Sequence, residues 1–530
     1  ERAAPEALRT CVVAYSAALT QCYGETGETC ASDDTAEADA LAALEARVLE
    51  TCEDGEGAGL SAQAYADRLT TACASESDSI SWRSYGGPQG AVYGAAGDAD
   101  KTCMETAHSA AVTLVDESLL AFEDCLSGKQ CDAEALNAAR VAASNAAERA
   151  IGDACPGLAN LIAVDRGTFV ARAGHQVECM VATAHNDTSA LGLKCGPDYA
   201  QFDAPRGEWT QIMVDGDTWG TQCGDGSEYA FHIRLAPEGE PLDRVVIGLQ
   251  GGGVCVLEQD CSAKLQSNPG LFTAMDDVPF PVGIVDDNPD NNPFANWTKI
   301  YLPYCNQDVF AGGGVDEVLG DLTLPRYGSV NIRAAIQMTR DVLWKKLDEE
   351  GGAGYRPDEM RAFFGGWSAG AYGTMYNYYW LVDDLQWPRT TAFPDAGMGL
   401  DNGEPIGVRA LGLLKIPLWG AQPNLPPYCF EGDCAVGTDL FDAISPRLKQ
   451  VPEQQFLVMT NPRDRTQQFD AYFSDEAKWI NAVRSTYCDY KDKNGLHFYY
   501  TSVADESVHV VTLRNDLWTT EVDGITMRDW

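Results

Sequence analysis

Lysine is absent from the first hundred residues of this chain, and over all 530 positions 37 Lys and Arg stand against 79 Asp and Glu, a formal charge of −42. Binding a nucleic acid releases counterions only where Lys and Arg cluster on the phosphates, so nucleic acid is excluded as a partner, and anionic lipid or polyuronate is repelled at long range. The excess acid reads first as a solubility device for an exported protein. No apolar run approaches the ~20 residues that a membrane helix needs, which excludes a transmembrane segment. The 18 cysteines include no CxxC pair and no zinc-type Cys/His spacing, so no metal is expected and the set reads as a disulfide framework formed in an oxidising compartment. The chain opens at Glu1-Arg-Ala-Ala-Pro with neither an initiator Met nor an apolar leader. That start reads as a mature form whose signal peptide has been removed, hence a secreted or periplasmic protein.

What is present divides into two textures. Residues 1–200 are rich in Ala, Glu, Asp and Cys, with helical periodicity in stretches such as Ala36 to Cys52 and Ala133 to Cys155. Cys22, Cys30, Cys52 and Cys73 are echoed by Cys125, Cys131, Cys155 and Cys179, which predicts a duplicated, disulfide-stapled helical region with repeats over about 1–95 and 96–200. The Gly/Ser/Tyr-rich stretch Ser79 to Asp98 is the expected linker between the copies. Over residues 201–530 apolar β-type runs alternate with Gly, Pro and Asp clusters, as in an α/β domain with a mostly parallel sheet. Strands are expected at Arg244 to Gln250, Lys299 to Pro303, Arg361 to Gly366, Gln455 to Thr460 and Leu496 to Val503, and an amphipathic crossover helix at Val330 to Glu349.

One segment carries chemistry. Gly366-Trp-Ser368-Ala-Gly370 follows an apolar strand and precedes a helix-compatible run, the strand-turn-helix setting of an α/β-hydrolase nucleophile elbow. A serine there needs a base and an acid, in the chain order Ser, acid, His. Of the two histidines that follow, His497 sits inside the apolar run Leu496-His-Phe-Tyr-Tyr, whereas His509 lies just past it in a loop and is preferred. For the acid, Asp464 follows the strand Gln455 to Thr460, where a carboxylate holds the imidazole tautomer. Asp470 and Asp395 are the alternatives. Gln250-Gly-Gly-Gly253-Val254-Cys255 follows an early strand and offers backbone N–H groups to a developing oxyanion, with Ala369 behind the nucleophile as a further donor. The loop lacks GxGxxG spacing and no Walker lysine follows, so no nucleotide and no other cofactor is expected. Trp367, Tyr304 and Asp308 are candidates for the substrate-binding rim.

At these residues the sequence resembles the pectin acetylesterase and Notum family of secreted carboxylesterases. The blocks that carry the resemblance occur in order over roughly residues 215–515: Cys223-Gly-Asp-Gly-Ser, Leu249-Gln-Gly-Gly-Gly-Val-Cys255 with Cys261, Pro303-Tyr-Cys305-Asn-Gln-Asp308, Gly366-Trp-Ser-Ala-Gly370, Asp395-Ala-Gly397, Asp464-Arg-Thr-Gln467 and Val508-His509. The resemblance implies a serine esterase acting on carboxylic esters, acetyl or other acyl, decorating a polysaccharide or a lipid. It implies Ser368, Asp464 and His509 as the triad, Gly253, Val254 and Ala369 as oxyanion donors, and a Cys255–Cys261 bridge. The chain departs from the family at Val254, where an aromatic is usual, and at Ala371, where a second glycine is common.

The duplicated region lies outside the resemblance; an accessory role or attachment to an envelope or polymer are the two expectations for it. Eleven cysteines fall up to Cys195 and seven from Cys223 on, so complete pairing predicts at least one bridge across the boundary, most economically Cys195 with Cys223. Cys429 and Cys434 are spaced to close a small loop. Two rival readings stay open: a serine lipase or peptidase on the same fold, and a binding or envelope protein whose hydrolase domain is inactive.

Overall fold

The computed structural model describes residues 3–27, 35–55, 59–86, 91–127, 131–185, 187–400, 416–424, 454–468, 475–492, 495–501 and 508–530. They form two compact units: Glu1–Gln201 with Met338–Asp358 in one, and Phe202–Gln337 with most of the chain after Glu359 in the other.

The first unit is helical. A long hairpin, α1 (Ala3–Thr26) and α2 (Thr35–Thr51), is followed by α3 (Ala62–Tyr85); after the short α4 (Ala91–Ala95) the order repeats with α5 (Asp98–Ser127), α6 (Ala133–Ala154), the short α7 (Leu158–Ile162) and α8 (Arg166–Ala184). Alanine supplies helix propensity, and Ser61, Asp132 and Asp165 open their helices by accepting backbone N–H groups of the first turn. The expected linker begins later than Ser79, because α3 continues to Tyr85. Ser77, Ser79, Ser81 and Ser84 are buried within it, and the Ser84 hydroxyl donates to the Ile80 carbonyl. Here serine is a small packing residue between helices, and only Gly86, at φ 104°, ends the helix.

The disulfides correct the parity argument. Cys195 pairs with Cys179 and Cys223 with Cys305, so the Cys195–Cys223 bridge does not form. Complete pairing was the faulty premise: Cys52 and Cys488 carry free thiols, one in each part of the chain. The expected Cys255–Cys261 bridge is present, whereas Cys429 and Cys434 lie outside the described residues. The echoed cysteines do not share one connectivity either. Cys73 ties α3 to Cys11 of α1, whereas its echo Cys179 pairs with Cys195; Cys52 is free, whereas its echo Cys155, at the end of α6, pairs with Cys103 of α5.

The second unit is built on an eight-stranded sheet. Its strands are β1 (Trp209–Val214), β2 (Tyr229–Arg234), β3 (Arg244–Leu249), β4 (Thr298–Leu302), β7 (Arg361–Trp367), β8 (Arg389–Asp395), β9 (Gln455–Thr460) and β10 (Leu496–Tyr500), in the spatial order β1-β2-β4-β3-β7-β8-β9-β10. β2 runs antiparallel to both its neighbours, and from β4 through β3 to β10 every pair is parallel. This is an α/β-hydrolase sheet. The five strands expected from the sequence are all in it, and the crossover helix is α11 (Gly328–Glu350). β8 escapes sequence reading because Pro394, which lacks an N–H, sits inside it; its pairing with β9 holds at Thr391, Ala392 and Asp395 and skips the proline. The parallel strands all end at one edge, where β3, β7, β8, β9 and β10 are followed by the Gly251–Gly253 loop, Ser368, Ala396, Asp464 and the His509 segment.

A separate hairpin, β5 (Val315–Leu319) and β6 (Leu322–Arg326), delivers a fully buried arginine. The Arg326 guanidinium contacts Glu317 at 2.7 Å and donates to the carbonyls of Asn306 at 2.9 Å, Gln307 at 3.0 Å and Cys255 at 3.2 Å. Its planar fork thus closes three loop carbonyls that have no ladder partner. Arg326→Met leaves those carbonyls and the Glu317 carboxylate buried without a cation. We expect it to lower stability by about 3–5 kcal/mol, measured by urea denaturation against the parent chain.

Candidate active site

Ser368 sits between the last residue of β7 and the first of α12 (Ala369–Tyr379), with φ 56° and ψ −117°, a conformation few side-chain-bearing residues adopt. The flanking glycines explain how the turn is packed. A Cβ at Gly366 would lie 2.6 Å from the Leu249 carbonyl oxygen, and one at Gly370 only 2.2 Å from the same atom. The turn therefore lies directly on the end of β3, and both glycines are required by contact with backbone that cannot give way. The Ser368 N–H donates to the Asp395 carbonyl at 2.8 Å, which fixes the turn to the end of β8.

The loop after β3 approaches from the other side. A Cβ on Gly251 would meet the Trp367 carbonyl oxygen at 2.8 Å and Ser368 Cβ at 3.0 Å. Gln250 clamps its start by accepting from the Tyr304 N–H at 2.8 Å and donating to Asp277 at 3.1 Å. Its far end is held by α10 (Glu258–Ser267), through the Cys255–Cys261 bridge and through Lys264, whose ammonium donates to the Val254 carbonyl at 2.7 Å and to Gln307 at 3.1 Å. Partial burial lowers the Lys264 pKa, Asp260 opposes that shift, and the half-buried cation holds the loop through the Val254 carbonyl. Gly253 takes φ 74°. Among the described residues, no acceptor is bonded to the N–H groups of Gly253, Val254 or Ala369.

Asp464 and His509 meet. The fully buried Asp464 caps a short turn, one carboxylate oxygen accepting from the Thr466 N–H at 2.9 Å, while the other lies 2.7 Å from Nδ1 of His509, which is about a quarter exposed. The competing choices fall elsewhere: His497 meets the Gln455 side chain on an exposed part of β10, and Asp470 lies outside the described residues. Asp395, the third acid considered, does not bond to an imidazole. Its carboxylate is fully buried and accepts from the Val511 N–H, the Thr512 N–H and the Thr512 hydroxyl, all within 2.7 Å. Burial pushes its carboxyl up to about 6, against the pull of those donors and of His509.

The three rim candidates are packed inward. Trp367, 4 % exposed, lies in the core with Tyr301 and covers Gly248. Tyr304 packs against Phe310 with tilted rings and its hydroxyl accepts from the Val309 N–H at 2.7 Å. Asp308 accepts from the Phe310 and Gly328 N–H groups, and burial raises its carboxyl. Together Tyr304 and Asp308 hold a loop in which Gln307, Val309 and Phe310 all have positive φ. Phe310 in turn packs on Gly373 of α12. These residues support the site from beneath. Lys264 and Thr512, and the close approach at Gly251, escape sequence reading, since their significance lies in what they touch.

Comparison with known proteins gives three kinds of likeness. Residues 208–432 match the pectinacetylesterase family model. Pectin acetylesterase 4 of Arabidopsis thaliana is 26% identical over 168 residues, which is 31% of this chain and 38% of that protein. Palmitoleoyl-protein carboxylesterase notum1a of Danio rerio is 25% identical over 129 residues, 24% of each. The chain thus spans less than half the length of these curated relatives. Among solved structures, that of the Wnt deacylase Notum from Drosophila is 18% identical, covering 61% of this chain and 92% of that one, with a TM-score of 0.44.

Two outcomes follow from the geometry. Gly251→Ala puts a methyl group against the Trp367 carbonyl oxygen and the Ser368 Cβ, and we expect ester turnover to fall at least about 10²-fold with little change in melting temperature. The raised Asp395 carboxyl favours the proton in the folded state, so its contribution to stability is complete below about pH 4 and is lost as the pH rises through about 6. Calorimetry from pH 4 to 7 should therefore show Asp395→Asn gaining on the parent chain with rising pH, by at most about 3 kcal/mol; a gap independent of pH would contradict this.

Proposed function

The hydrolase part of this chain belongs to the pectin acetylesterase and Notum family, and from that premise we propose that it is a secreted serine carboxylesterase working through Ser368, His509 and Asp464. The observation that carries the triad is the 2.7 Å contact between His509 Nδ1 and the buried Asp464 carboxylate, two residues 45 positions apart on separate strand-end loops. A carboxylate so placed holds Nδ1 protonated and leaves Nε2 as the base.

In the proposed reaction, His509 takes the proton of Ser368 as its oxygen bonds to the acyl carbon. The carbonyl electrons move to oxygen, where the N–H groups of Gly253, Val254 and Ala369 receive the charge. Collapse breaks the bond to the alcohol, which leaves with the proton from His509, and the acyl group stays on Ser368 as an ester. Water then repeats the sequence, releasing the acid and restoring the serine. Each step uses only these side chains and backbone groups. α12, starting at Ala369, turns its N-terminus toward the charge that develops.

We assign the esterase to residues 201–530 and an accessory role to the helical region before it. Secretion is supported by bridges such as Cys223–Cys305 and Cys255–Cys261, which persist in oxidising surroundings. No helix among the described residues is long and apolar enough to cross a membrane. The substrates we propose are acyl esters, the class named by both kinds of relative: acetyl on a polysaccharide or a longer acyl group on a protein. Val254, where family members carry an aromatic, is the position we expect to tune acyl length.

A fluorophosphonate probe tests the reading. It should label the parent chain and not Ser368→Ala; hydrolysis of an aryl acetate should fall about 10⁴-fold in Asp464→Asn. A parent chain that the probe leaves unlabelled would return the inactive-hydrolase reading, and cleavage of a peptide but no ester would return the peptidase.

A further inference from the structure

We propose that Asp395 is the positioning residue of the site, the point from which the serine, acid and histidine loops are all set in register. The proposal rests on the triad proposed above. Four observations carry it. First, the Asp395 carbonyl accepts from the Ser368 N–H at 2.8 Å. Second, one oxygen of its carboxylate receives the Val511 N–H at 2.7 Å, the Thr512 N–H at 2.6 Å and the Thr512 hydroxyl at 2.7 Å, two and three residues beyond His509. Third, the next residue, Ala396, is held at φ 57°, donates to the Met459 carbonyl at 2.9 Å, and accepts from the Gln467 side chain at 2.7 Å, three residues beyond Asp464. Fourth, the segment is braced from its other side, where the Ile284 N–H donates to the Thr512 carbonyl at 3.0 Å and a Cβ on Gly283 would strike that oxygen.

Two consecutive residues therefore hold all three arms. The distribution of bonds on the carboxylate separates this from ordinary core packing. Its second oxygen is buried with no partner among the described residues, so the group is not optimised for stability. A carboxylate under these conditions is retained for what its first oxygen does: it gathers three donors at one point and so fixes where the main chain leaves Val510, itself at φ 69°, on the way from His509. Removing it leaves two buried main-chain N–H groups unpaired, and the segment must shift to find other acceptors. The imidazole moves with it.

The test uses the full chain, an aryl acetate substrate and a fluorophosphonate, with Asp395→Ala, Asp395→Asn and Thr512→Val. The amide oxygen of asparagine can take the same three donors, whereas alanine takes none. Asp395→Ala should lose about 10²-fold in kcat and in probe-labelling rate with KM within about threefold, because misplacing a reacting group acts on the chemical step. Asp395→Asn should restore kcat to within about fivefold of the parent, and Thr512→Val, which deletes one donor of three, should fall between them. A folded Asp395→Ala with full kcat overturns the proposal. So does an Asp395→Asn as impaired as the alanine variant. If Asp395→Ala does not fold, Thr512→Val decides, and an unchanged kcat and labelling rate there overturns it. An unlabelled parent chain instead sinks the esterase reading, and this inference falls with it; a labelled parent with insensitive variants sinks the positioning role alone.

Discussion

The contact between the nucleophile turn and the end of β3 is the constraint from which the rest of the hydrolase unit follows. Gly366 and Gly370 lie against the Leu249 carbonyl at distances no Cβ tolerates. With the two strand ends that close, the chain leaving β3 must pass over Ser368, and only glycine at 251 lets it do so. The same approach brings the loop that begins at Gly251 against the Ser368 turn. A single backbone contact between parallel neighbours thus accompanies both the strained serine and the close approach of the Gly251 loop.

That closeness has to be maintained against a loop with little structure of its own. The means are unusually polar and buried: Arg326 on three carbonyls, Lys264 behind Val254, Asp308 and Tyr304 under a run of positive-φ residues, and Asp395 at the junction of the other loops. Each group is largely desolvated, which burdens the fold, and each makes hydrogen bonds to main chain. Buried charges used in this way fix the course of irregular backbone where sheet and helix hydrogen bonds end. Precision at the strand ends is obtained at the expense of stability, the usual relation at a site that must be preorganised.

The helical region follows another logic. Two arrays of alanine-rich helices, capped by Ser and Asp, close around buried aromatic rings such as Tyr15, Tyr23, Tyr85 and Phe122, and disulfides add constraint between helices. The echoed cysteines make different bonds in the two arrays, so the arrays resemble each other in the order of their helices and not in those bonds.

Much of this was legible in the chain itself. Apolar runs with turn residues between them marked five of the sheet strands, since burial on both faces writes itself into composition; Gly-x-Ser-x-Gly after such a run marked the elbow; and a carboxylate and a histidine past later strands marked Asp464 and His509. What escaped depended on proximity between distant residues. β8 was hidden by Pro394, whose missing N–H only the ladder can absorb. The serines of α3 resembled a linker until neighbouring helices buried them. Cysteine parity misplaced one bridge because the geometry leaves Cys52 and Cys488 unpaired. Trp367, Tyr304 and Asp308 proved to be supports, since whether a side chain faces a substrate or the core depends on which strand lies beside it. Residue types and spacing determined the chemistry available; only the packing of strand ends against one another decided which groups perform it, because hydrogen bonds and steric exclusions act over a few ångströms of space and leave no periodic trace in sequence.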